Sequence, residues 1–254
     1  MKLLICGLSG HMGQELAKMA QNSPNDFCVI AGVDHLPVKG EIPCFQSFDQ
    51  APADVDMILD FSHPSVLSDL LKFALANKIP AVIATTGFTA AQKEEIAKAA
   101  TEIPIFYTAN YSVGIAVLIQ LAKKAVAAFP NAEIEIVEKH HDRKLDAPSG
   151  TALALADAIR EVRPHATVNA GRSGNAKRTP EEIGIHSIRM GNIVGEHEVL
   201  IGTPTQTLTL RHEAHSRALF AEGALAAATF LYGKPAGLYD MNSLLQKKLG
   251  EELS

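Results

Sequence analysis

The sequence lacks tryptophan, and aromatic residues make up only 6% of its 254 positions. Its three cysteines, Cys6, Cys28 and Cys44, are an odd number without a C-x-x-C pair, so they predict neither a disulfide framework nor a cysteine-based zinc site. No apolar run reaches the roughly 18 residues of a membrane span. The N-terminal run MKLLIC is too short for a signal-peptide core. We therefore expect a reduced, cytoplasmic protein that has no membrane partner.

A surplus of positive charge is also missing. Against 28 acidic residues stand 23 lysines and arginines, which gives a formal net charge of −5. Because proteins that bind a nucleic-acid backbone normally carry a basic surplus or stripe, this balance excludes a nucleic-acid partner. The 47% hydrophobic content is typical of a folded globular chain. The length suits one large domain or two small ones.

The first 110 residues alternate short apolar runs with helical patterns. Apolar strands that alternate with helices predict β-α-β units and a parallel sheet covered on both faces. We therefore predict an α/β fold that begins with a Rossmann-type dinucleotide-binding domain. The predicted strands are 3–6, 27–33, 55–61, 80–86 and 104–107, and the predicted helices are 11–21, 65–76 and 90–100.

The pattern changes near residue 112, which indicates a second domain of α+β type with an open mixed sheet. We predict that residues 1–111, completed by the C-terminal helices in 222–254, bind the dinucleotide. Residues 112–221 form the substrate-binding and oligomerisation domain. Its predicted elements are a helix at 113–128, a strand at 132–141, a helix at 151–162, a loop at 163–182, and strands at 183–190, 192–202 and 206–214.

A glycine-rich turn joins the first predicted strand to the first helix. Its sequence, GLSGHMG at 7–13, allows a pyrophosphate to approach the helix N-terminus. Asp34 ends the second predicted strand, where an acid accepts hydrogen bonds from the adenosine ribose. The alternatives are a glycine turn needed only for packing and an ordinary solvated acid. We assign to the cofactor Gly7, Leu8, Ser9, Gly10, His11, Met12 and Asp34.

The choice between NADH and NADPH depends on the residues around Asp34. Its carboxylate would repel a 2′-phosphate, and no arginine follows it. His35 carries at most a partial charge near neutral pH, whereas Lys39 lies close enough in sequence to favour a phosphate. The pattern favours NADH without excluding NADPH.

Two further loops follow predicted strands at the edge where parallel sheets bind ligands. Their hydroxyl and amide groups suit a nicotinamide carboxamide, and the Tyr111 ring is expected to flank the nicotinamide. Common turn chemistry is the alternative. The residues assigned to the cofactor here are Ala84, Thr85, Thr86, Thr108, Ala109, Asn110 and Tyr111.

The densest polar segment, 138–151, predicts the chemical site. His140 and His141 leave a strand on opposite faces, so they cannot readily share one metal ion, and we expect no metal. Imidazole and Lys144 suit acid–base chemistry instead. Ser149 resembles an N-cap, which leaves the amides of Gly150 and Thr151 for an anion, either a carboxylate or a phosphate. Ser149 as a nucleophile is a weaker alternative because no G-x-S-x-G motif surrounds it.

Seven motifs spread over the chain resemble the 4-hydroxy-tetrahydrodipicolinate reductase family, also called dihydrodipicolinate reductase. D-A-P-S-G-T and G-N-I-V-G-E-H are the most specific of them. The motifs are GLSGHMG (7–13), DFSHPS (60–65), ATTGF (84–88), ANYSVG (109–114), HHDRKLDAPSGTA (140–152), GNIVGEH (191–197) and HEAHSR (212–217).

The resemblance implies an NAD(P)H-dependent enzyme of diaminopimelate and lysine biosynthesis. It implies hydride transfer to C4 of an unsaturated cyclic dicarboxylate after the 4-hydroxyl leaves as water. His140 is then the proton donor and acceptor, and Lys144 is its catalytic partner. His141, Gly150 and Thr151 bind the substrate carboxylates. The resemblance also implies a homotetramer built through the sheet of the second domain.

The chain departs from the family pattern at Arg143, where some members have a histidine, and at Ala84, where a glycine is frequent. We assign Arg143 no catalytic role. Arg189, Glu196, His197 and Arg217 are interpreted mainly as supporting polar groups. Two rival functions are an aspartate- or homoserine-type dehydrogenase, against which D-A-P-S-G-T argues, and a dinucleotide-sensing regulator without turnover.

Overall fold

The computed structural model describes residues 1–23, 25–36 and 40–250, so Lys39 lies outside the described residues. The chain divides into two compact units. The first unit comprises Met1–Ser112 with Ala218–Ser254, and the second comprises Val113–Arg217. Across the described ranges, no helix combines the length and the apolar character needed to cross a membrane.

The first unit contains a sheet of seven parallel strands in the order β12-β6-β5-β4-β1-β2-β3. This arrangement confirms the predicted Rossmann-type sheet. The two edge strands, β3 and β12, were not predicted because each is only two or three residues long. The strands are β1 (Lys2–Cys6), β2 (Cys28–Val33), β3 (Cys44–Phe45), β4 (Met57–Asp60), β5 (Ala81–Ile83), β6 (Pro104–Tyr107) and β12 (Gly237–Tyr239).

Helices cover both faces of this sheet, which explains why its strands are continuously apolar. Leu4 and Cys6 of β1 share a core with α2 and α3, whereas α6 contacts β4, β5, β6 and α1. The start of α3 is fixed by a capping box between Thr89 and Gln92. The helices are α1 (His11–Gln21), α2 (Leu67–Asn77), α3 (Ala90–Ala99), α6 (Ala218–Leu231) and α7 (Met241–Gly250), with 3₁₀ turns at Phe48–Gln50 and Pro64–Val66.

The second unit contains a mixed sheet of five strands in the order β11-β10-β7-β9-β8. Strands β7, β8 and β9 run parallel, and β10 is antiparallel to β7 and β11. The loop predicted over 163–182 is partly wrong, since β8 lies within it. Pairing with β9 outweighs the polar local sequence there. The strands are β7 (Glu133–His140), β8 (Thr167–Ala170), β9 (Glu182–Arg189), β10 (Gly195–Gly202) and β11 (Thr207–Ala214).

Helices α4 (Val113–Ala128) and α5 (Gly150–Val162) pack on one face of this mixed sheet. Side chains alternate between faces along a strand, so Ile134 and Ile136 of β7 point into the core beneath the helices. The same alternation puts Glu138 and His140 on that face at the end of β7. The apolar core therefore ends in two titratable side chains.

Candidate active site

The glycine-rich turn joins β1 to α1 by a backbone path that side chains would block. Gly7 has φ +84°, and a Cβ on it would lie 2.5 Å from the carbonyl oxygen of Phe61. A Cβ on Gly13 would collide with the carbonyl of Gly7. The N-cap of α1 is Gly10, which makes no side-chain capping hydrogen bond. The first-turn amides of α1 therefore lack a side-chain cap and can face an anion.

Asp34 fastens this turn to the end of β2. Its Oδ2 accepts hydrogen bonds from the amide of Ser9 at 2.8 Å and from the Ser9 hydroxyl at 2.7 Å. Its Oδ1 accepts from the amide of Leu36 at 3.1 Å. Burial raises the pKa of Asp34, but these hydrogen bonds outweigh it and hold the pKa below its ordinary value. Asp34 is therefore a fixed negative charge.

A cavity of about 710 Å³ opens beside the turn and Asp34. This volume lies within the range of small-molecule sites. Sequence reasoning assigned only part of its wall, because residues 46–53 and α2 carry no recognisable binding motif. The lining residues include Gly7, Ser9, Gly10, Asp34, His35, Gln46, Phe48, Asp49, Ser62, His63, Asp69, Lys72 and Phe73.

The loop after β5 is tied to the loop after β4 through a buried acid. Thr85 is buried, and its hydroxyl accepts a hydrogen bond from the amide of Ser62 at 2.8 Å. Asp60 accepts from the amide and the hydroxyl of Ser62. Burial raises the pKa of Asp60 above its ordinary value, although hydrogen bonds from Ser62 and Thr85 act to lower it. Ala84 is half-buried and Thr86 is exposed, so both border the same loop pair.

In the loop after β6, the expected role of the Tyr111 ring is corrected. The ring is buried, and its hydroxyl donates to the carbonyls of Ile83 at 2.9 Å and Phe106 at 3.1 Å. It therefore packs inside the first unit and has no open face for a nicotinamide. Thr108 and Asn110 are half-buried and Ala109 is exposed, which leaves these three residues accessible to a ligand.

In the second unit, Glu138 is the centre of the polar cluster that ends β7. It is fully buried, and its Oε2 lies 2.6 Å from Nδ1 of His140. Arg189 on β9 donates to both carboxylate oxygens, at 2.9 and 2.7 Å. The amide of Ser149 donates to Oε1 at 3.1 Å. Sequence reasoning assigned Glu138 no role, although its position two residues before His140 on an alternating strand places both on one face.

Burial and neighbouring groups have opposing effects on the pKa of Glu138 and on the pKa of His140. Burial raises the pKa of Glu138, but hydrogen bonds from Arg189, Ser187 and His140 lower it to about 2. The pKa of His140 is lowered by burial first and then by Lys144 and Arg189, while Glu138 raises it. Glu138 is therefore an anion and His140 is neutral near pH 7.

A second histidine, His197 on β10, packs edge-on against His140 with ring centroids 5.2 Å apart. Its Nε2 lies 3.1 Å from the hydroxyl of Ser149. Its Nδ1 has no hydrogen-bond partner among the described residues. Burial, and then the neighbouring His140, lower its pKa to about 4. His197 is therefore a neutral ring that borders the cluster.

The remaining predicted residues surround the start of α5. The Ser149 hydroxyl accepts from the amide of Ala152 at 3.2 Å, which confirms Ser149 as an N-cap. Gly150 is exposed and Thr151 half-buried in the first turn. Lys144 forms an ion pair of 2.8 Å with Asp146.

On the other side of His140, the amide of His141 donates to the carbonyl of Ile193 at 2.8 Å, which pins the loop to its neighbour. Nδ1 of His141 is buried without a hydrogen-bond partner in the described ranges. Arg143 is exposed, and its guanidinium donates hydrogen bonds to Asp142 and Asn192.

Comparison with known proteins extends this picture over nearly the whole chain. Residues 1–111 match the family model "Dihydrodipicolinate reductase, N-terminus", and residues 114–245 match "Dihydrodipicolinate reductase, C-terminus". The chain is 44% identical to a 4-hydroxy-tetrahydrodipicolinate reductase from Caldanaerobacter subterraneus subsp. tengcongensis, covering 97% of this chain and 98% of that protein. It is 40% identical to the Clostridium novyi protein of the same name, covering 97% and 99%.

Solved structures show the same fold. A dipicolinate-bound dihydrodipicolinate reductase from Paenisporosarcina sp. TG-14 has a TM-score of 0.81 and 28% identity, covering 95% of this chain and 98% of that one. An aspartate dehydrogenase from Thermotoga maritima has a TM-score of 0.53 and 16% identity, covering 92% and 98%. The second likeness is one of fold alone.

Proposed function

The chain belongs to the 4-hydroxy-tetrahydrodipicolinate reductase family, and on that premise we propose which residues carry out the reaction. It is an NAD(P)H-dependent oxidoreductase of diaminopimelate and lysine biosynthesis. It converts 4-hydroxy-tetrahydrodipicolinate, with loss of water, into tetrahydrodipicolinate. The observation that carries the residue assignment is the buried Glu138–His140 pair beside the first turn of α5.

The dinucleotide is assigned to the first unit. Its pyrophosphate suits the first-turn amides of α1, because Gly10 provides no side-chain cap. The cavity of about 710 Å³ bordered by Asp34 suits the adenosine. The loops with Ala84, Thr85, Thr86, Thr108, Ala109 and Asn110 are assigned to the nicotinamide. When bound, the reduced cofactor supplies the hydride.

NADH is the preferred cofactor in this proposal. Hydrogen bonds that lower the pKa of Asp34 keep its carboxylate charged, and this charge disfavours a 2′-phosphate by repulsion. Titrations with NADH and NADPH test the preference. A tenfold or larger preference for NADPH, about 1.4 kcal/mol, would contradict it.

The substrate is assigned to the second unit, where the end of β7 and the start of α5 offer donors and positive charge. Gly150 and Thr151 present helix-start amides to one carboxylate. His141 and Lys144 add side-chain donors, and Lys144 adds positive charge. An anionic dicarboxylate fits this set better than a neutral substrate does.

His140 moves the proton that the reduction requires. With Nδ1 turned to Glu138, Nε2 is the nitrogen left for the substrate. Because burial lowers the pKa of His140, its imidazolium is a stronger acid than an ordinary one. The neutral ring first takes up a proton from solvent at Nε2, and the imidazolium then gives that proton to the enamine that remains after hydride transfer.

The decisive variant is His140→Gln, which removes the titrating group. We expect turnover to fall about 100-fold or more, while NADH affinity measured by fluorescence titration changes less than about twofold. The matched control is His165→Gln, an exposed histidine of the same unit, which should retain turnover. Comparable turnover in His140→Gln and wild type would refute the acid–base assignment.

Lys144→Ala tests the substrate receptor. We expect a higher KM for the dicarboxylate and a lower kcat, because Lys144 both binds and orients the anion. A wild-type profile would count against the receptor. Turnover by the wild-type protein in the same assay would exclude a sensing regulator, which would bind the dinucleotide without turnover.

The second unit is also assigned the role of forming a homotetramer. The sheet face opposite α4 and α5 carries Val137, Ile188 and Leu200 among charged residues. Lys139 pairs there with Glu196 and Glu198 at 2.9 and 3.4 Å. Partly apolar faces of this kind are typical of subunit interfaces.

The cytoplasm is the proposed location. Cys6 is buried, Cys28 is exposed, and Cys44 is half-buried, and none of the three forms a disulfide in the part of the chain that the structure describes. Cysteines without disulfide bonds are typical of a reducing compartment.

A further inference from the structure

We propose that Glu138 is a positioning residue that holds His140 in a single tautomer, with the proton on Nδ1 and the reactive lone pair on Nε2. Arg189 in turn holds Glu138. This inference rests on the proposed role of His140, and it gives a function to two residues that do not themselves touch the substrate.

The hydrogen bonds around Glu138 determine the tautomer. The guanidinium of Arg189 and the amide of Ser149 can only donate. Both carboxylate oxygens therefore accept, and an ionised carboxylate has no proton to give. Nδ1 of His140 lies 2.6 Å from Oε2, so it must be the donor. The neutral ring then carries its lone pair on Nε2.

The surroundings of Nε2 agree with its role as the reactive nitrogen. Gly195, which starts β10, lies beside it, and a Cβ on Gly195 would come within 3.1 Å of Nε2. Glycine therefore leaves space at the one ring nitrogen that Glu138 does not occupy. Side chains of other residues would crowd that nitrogen.

Arg189 lets Glu138 orient the ring without making it strongly basic. In the parallel register of β7 and β9, Arg189 lies opposite His140. Glu138 raises the pKa of His140, whereas Arg189 and Lys144 lower it. His197, the remaining titratable neighbour, is neutral because its pKa is about 4. The paired charges therefore offset each other at the ring.

The test begins with Glu138→Gln, whose amide can either donate or accept. We expect kcat to fall about 10- to 100-fold, with the substrate KM changed less than about threefold. Nitrogen-15 NMR of the histidine rings should show that His140 loses its pure Nδ1–H form. The kinetic pKa of His140 should also fall, because the carboxylate charge is gone and Arg189 remains.

Arg189→Met should move that kinetic pKa upward, since it leaves the carboxylate without its counter-charge. The double variant Glu138→Gln/Arg189→Met removes both charges together, which avoids leaving one buried and unpaired. It should fold, lose the fixed tautomer and show the same fall in kcat. Opposite shifts in the two single variants are a result that a merely structural role would not produce.

The matched control is Glu135→Gln. Glu135 lies on the same strand and also contacts a histidine and an arginine, His186 at 2.9 Å and Arg178 at 3.1 Å, away from His140. It should leave the His140 ring signals and kinetic pKa unchanged. A pure Nδ1–H tautomer with kcat within threefold of wild type, in Glu138→Gln or in the double variant, would overturn the inference.

The acid–base role of His140 and the positioning role of Glu138 are tested by different variants. Wild-type turnover in His140→Gln would remove the proposed acid–base function itself. Loss of turnover in His140→Gln together with unchanged behaviour in Glu138→Gln would remove only the positioning role.

Discussion

Three buried carboxylates differ in the direction of their pKa shift because their burial and their hydrogen-bond donors differ. Glu138 receives hydrogen bonds from a guanidinium, an amide and an imidazole, and burial is outweighed so that its pKa falls to about 2. Asp34 is held below its ordinary pKa by Ser9 and Leu36. Asp60 has neutral donors and is almost wholly enclosed, so burial raises its pKa. The two acids whose pKa is lowered each orient a functional group: Asp34 holds Ser9 of the glycine-rich turn, and Glu138 holds His140.

At the residue scale, His197 should make the protein sensitive to mild acid. The unfolded chain protonates this ring near the ordinary pKa of 6.5, but the folded protein does so only near 4. Stability is therefore complete above pH 6.5 and is lost as the pH falls toward 4. A difference of this size corresponds to about 3 kcal/mol.

Urea unfolding between pH 8 and 4 measures this contribution. His197→Gln should show a shallower loss of stability in that window, whereas His165→Gln, at an exposed position, should follow wild type. Equal slopes in His197→Gln and wild type would contradict the role of His197.

Asp34→Ser tests the cofactor preference at its proposed source. Removing the charge should improve the affinity for NADPH relative to NADH about tenfold, or 1.4 kcal/mol. Asp49→Asn is the control, since Asp49 lines the same cavity. Equal effects of both variants in fluorescence titrations would mean that general cavity charge, rather than Asp34, sets the preference.

At the scale of the element, two helix starts provide a matched pair. Ser149 caps α5 and Thr89 caps α3, and replacing either by alanine should cost about 1 kcal/mol of stability in urea melts. Only Ser149→Ala should also raise the substrate KM, about fivefold, because the first turn of α5 binds the dicarboxylate. An equal KM in both variants would argue against the helix-start receptor.

The periodicity of β7 was predictable, but its partners were not. Alternation over 132–141 correctly placed a half-buried strand, and β7 spans Glu133–His140. Arg189 is 51 residues further along the chain, and its contact with Glu138 depends on β7 pairing parallel with β9. Strand order arises from tertiary packing, so local sequence cannot supply it. The buried Tyr111 ring was misjudged for the same reason.

At the scale of the whole molecule, the change of pattern near residue 112 separated two sheets of different kind. The parallel sheet was readable because β-α-β alternation leaves continuous apolar strands. The mixed sheet could be predicted because its strands have one apolar face. The short strands β3, β8 and β12 were not predicted, because two to four residues carry too little periodicity. They owe their conformation to pairing with longer neighbours.

The face of the mixed sheet opposite α4 and α5 should decide the oligomeric state. A tetramer of 27.1 kDa chains has a mass of about 108 kDa. Val137 lies on that face opposite Glu198, so Val137→Glu places two like charges side by side at the proposed interface. We expect light scattering with size-exclusion chromatography to give about 108 kDa for wild type and a smaller assembly for the variant.

Leu121→Glu is the control, because it adds the same charge at an exposed apolar position of α4, in the helical layer. It should retain the mass of wild type, since that layer is not part of the proposed interface. A wild-type mass of 27.1 kDa would contradict the tetramer itself. An unchanged mass in Val137→Glu would contradict only the use of this face, because a like-charge pair enclosed between subunits opposes association.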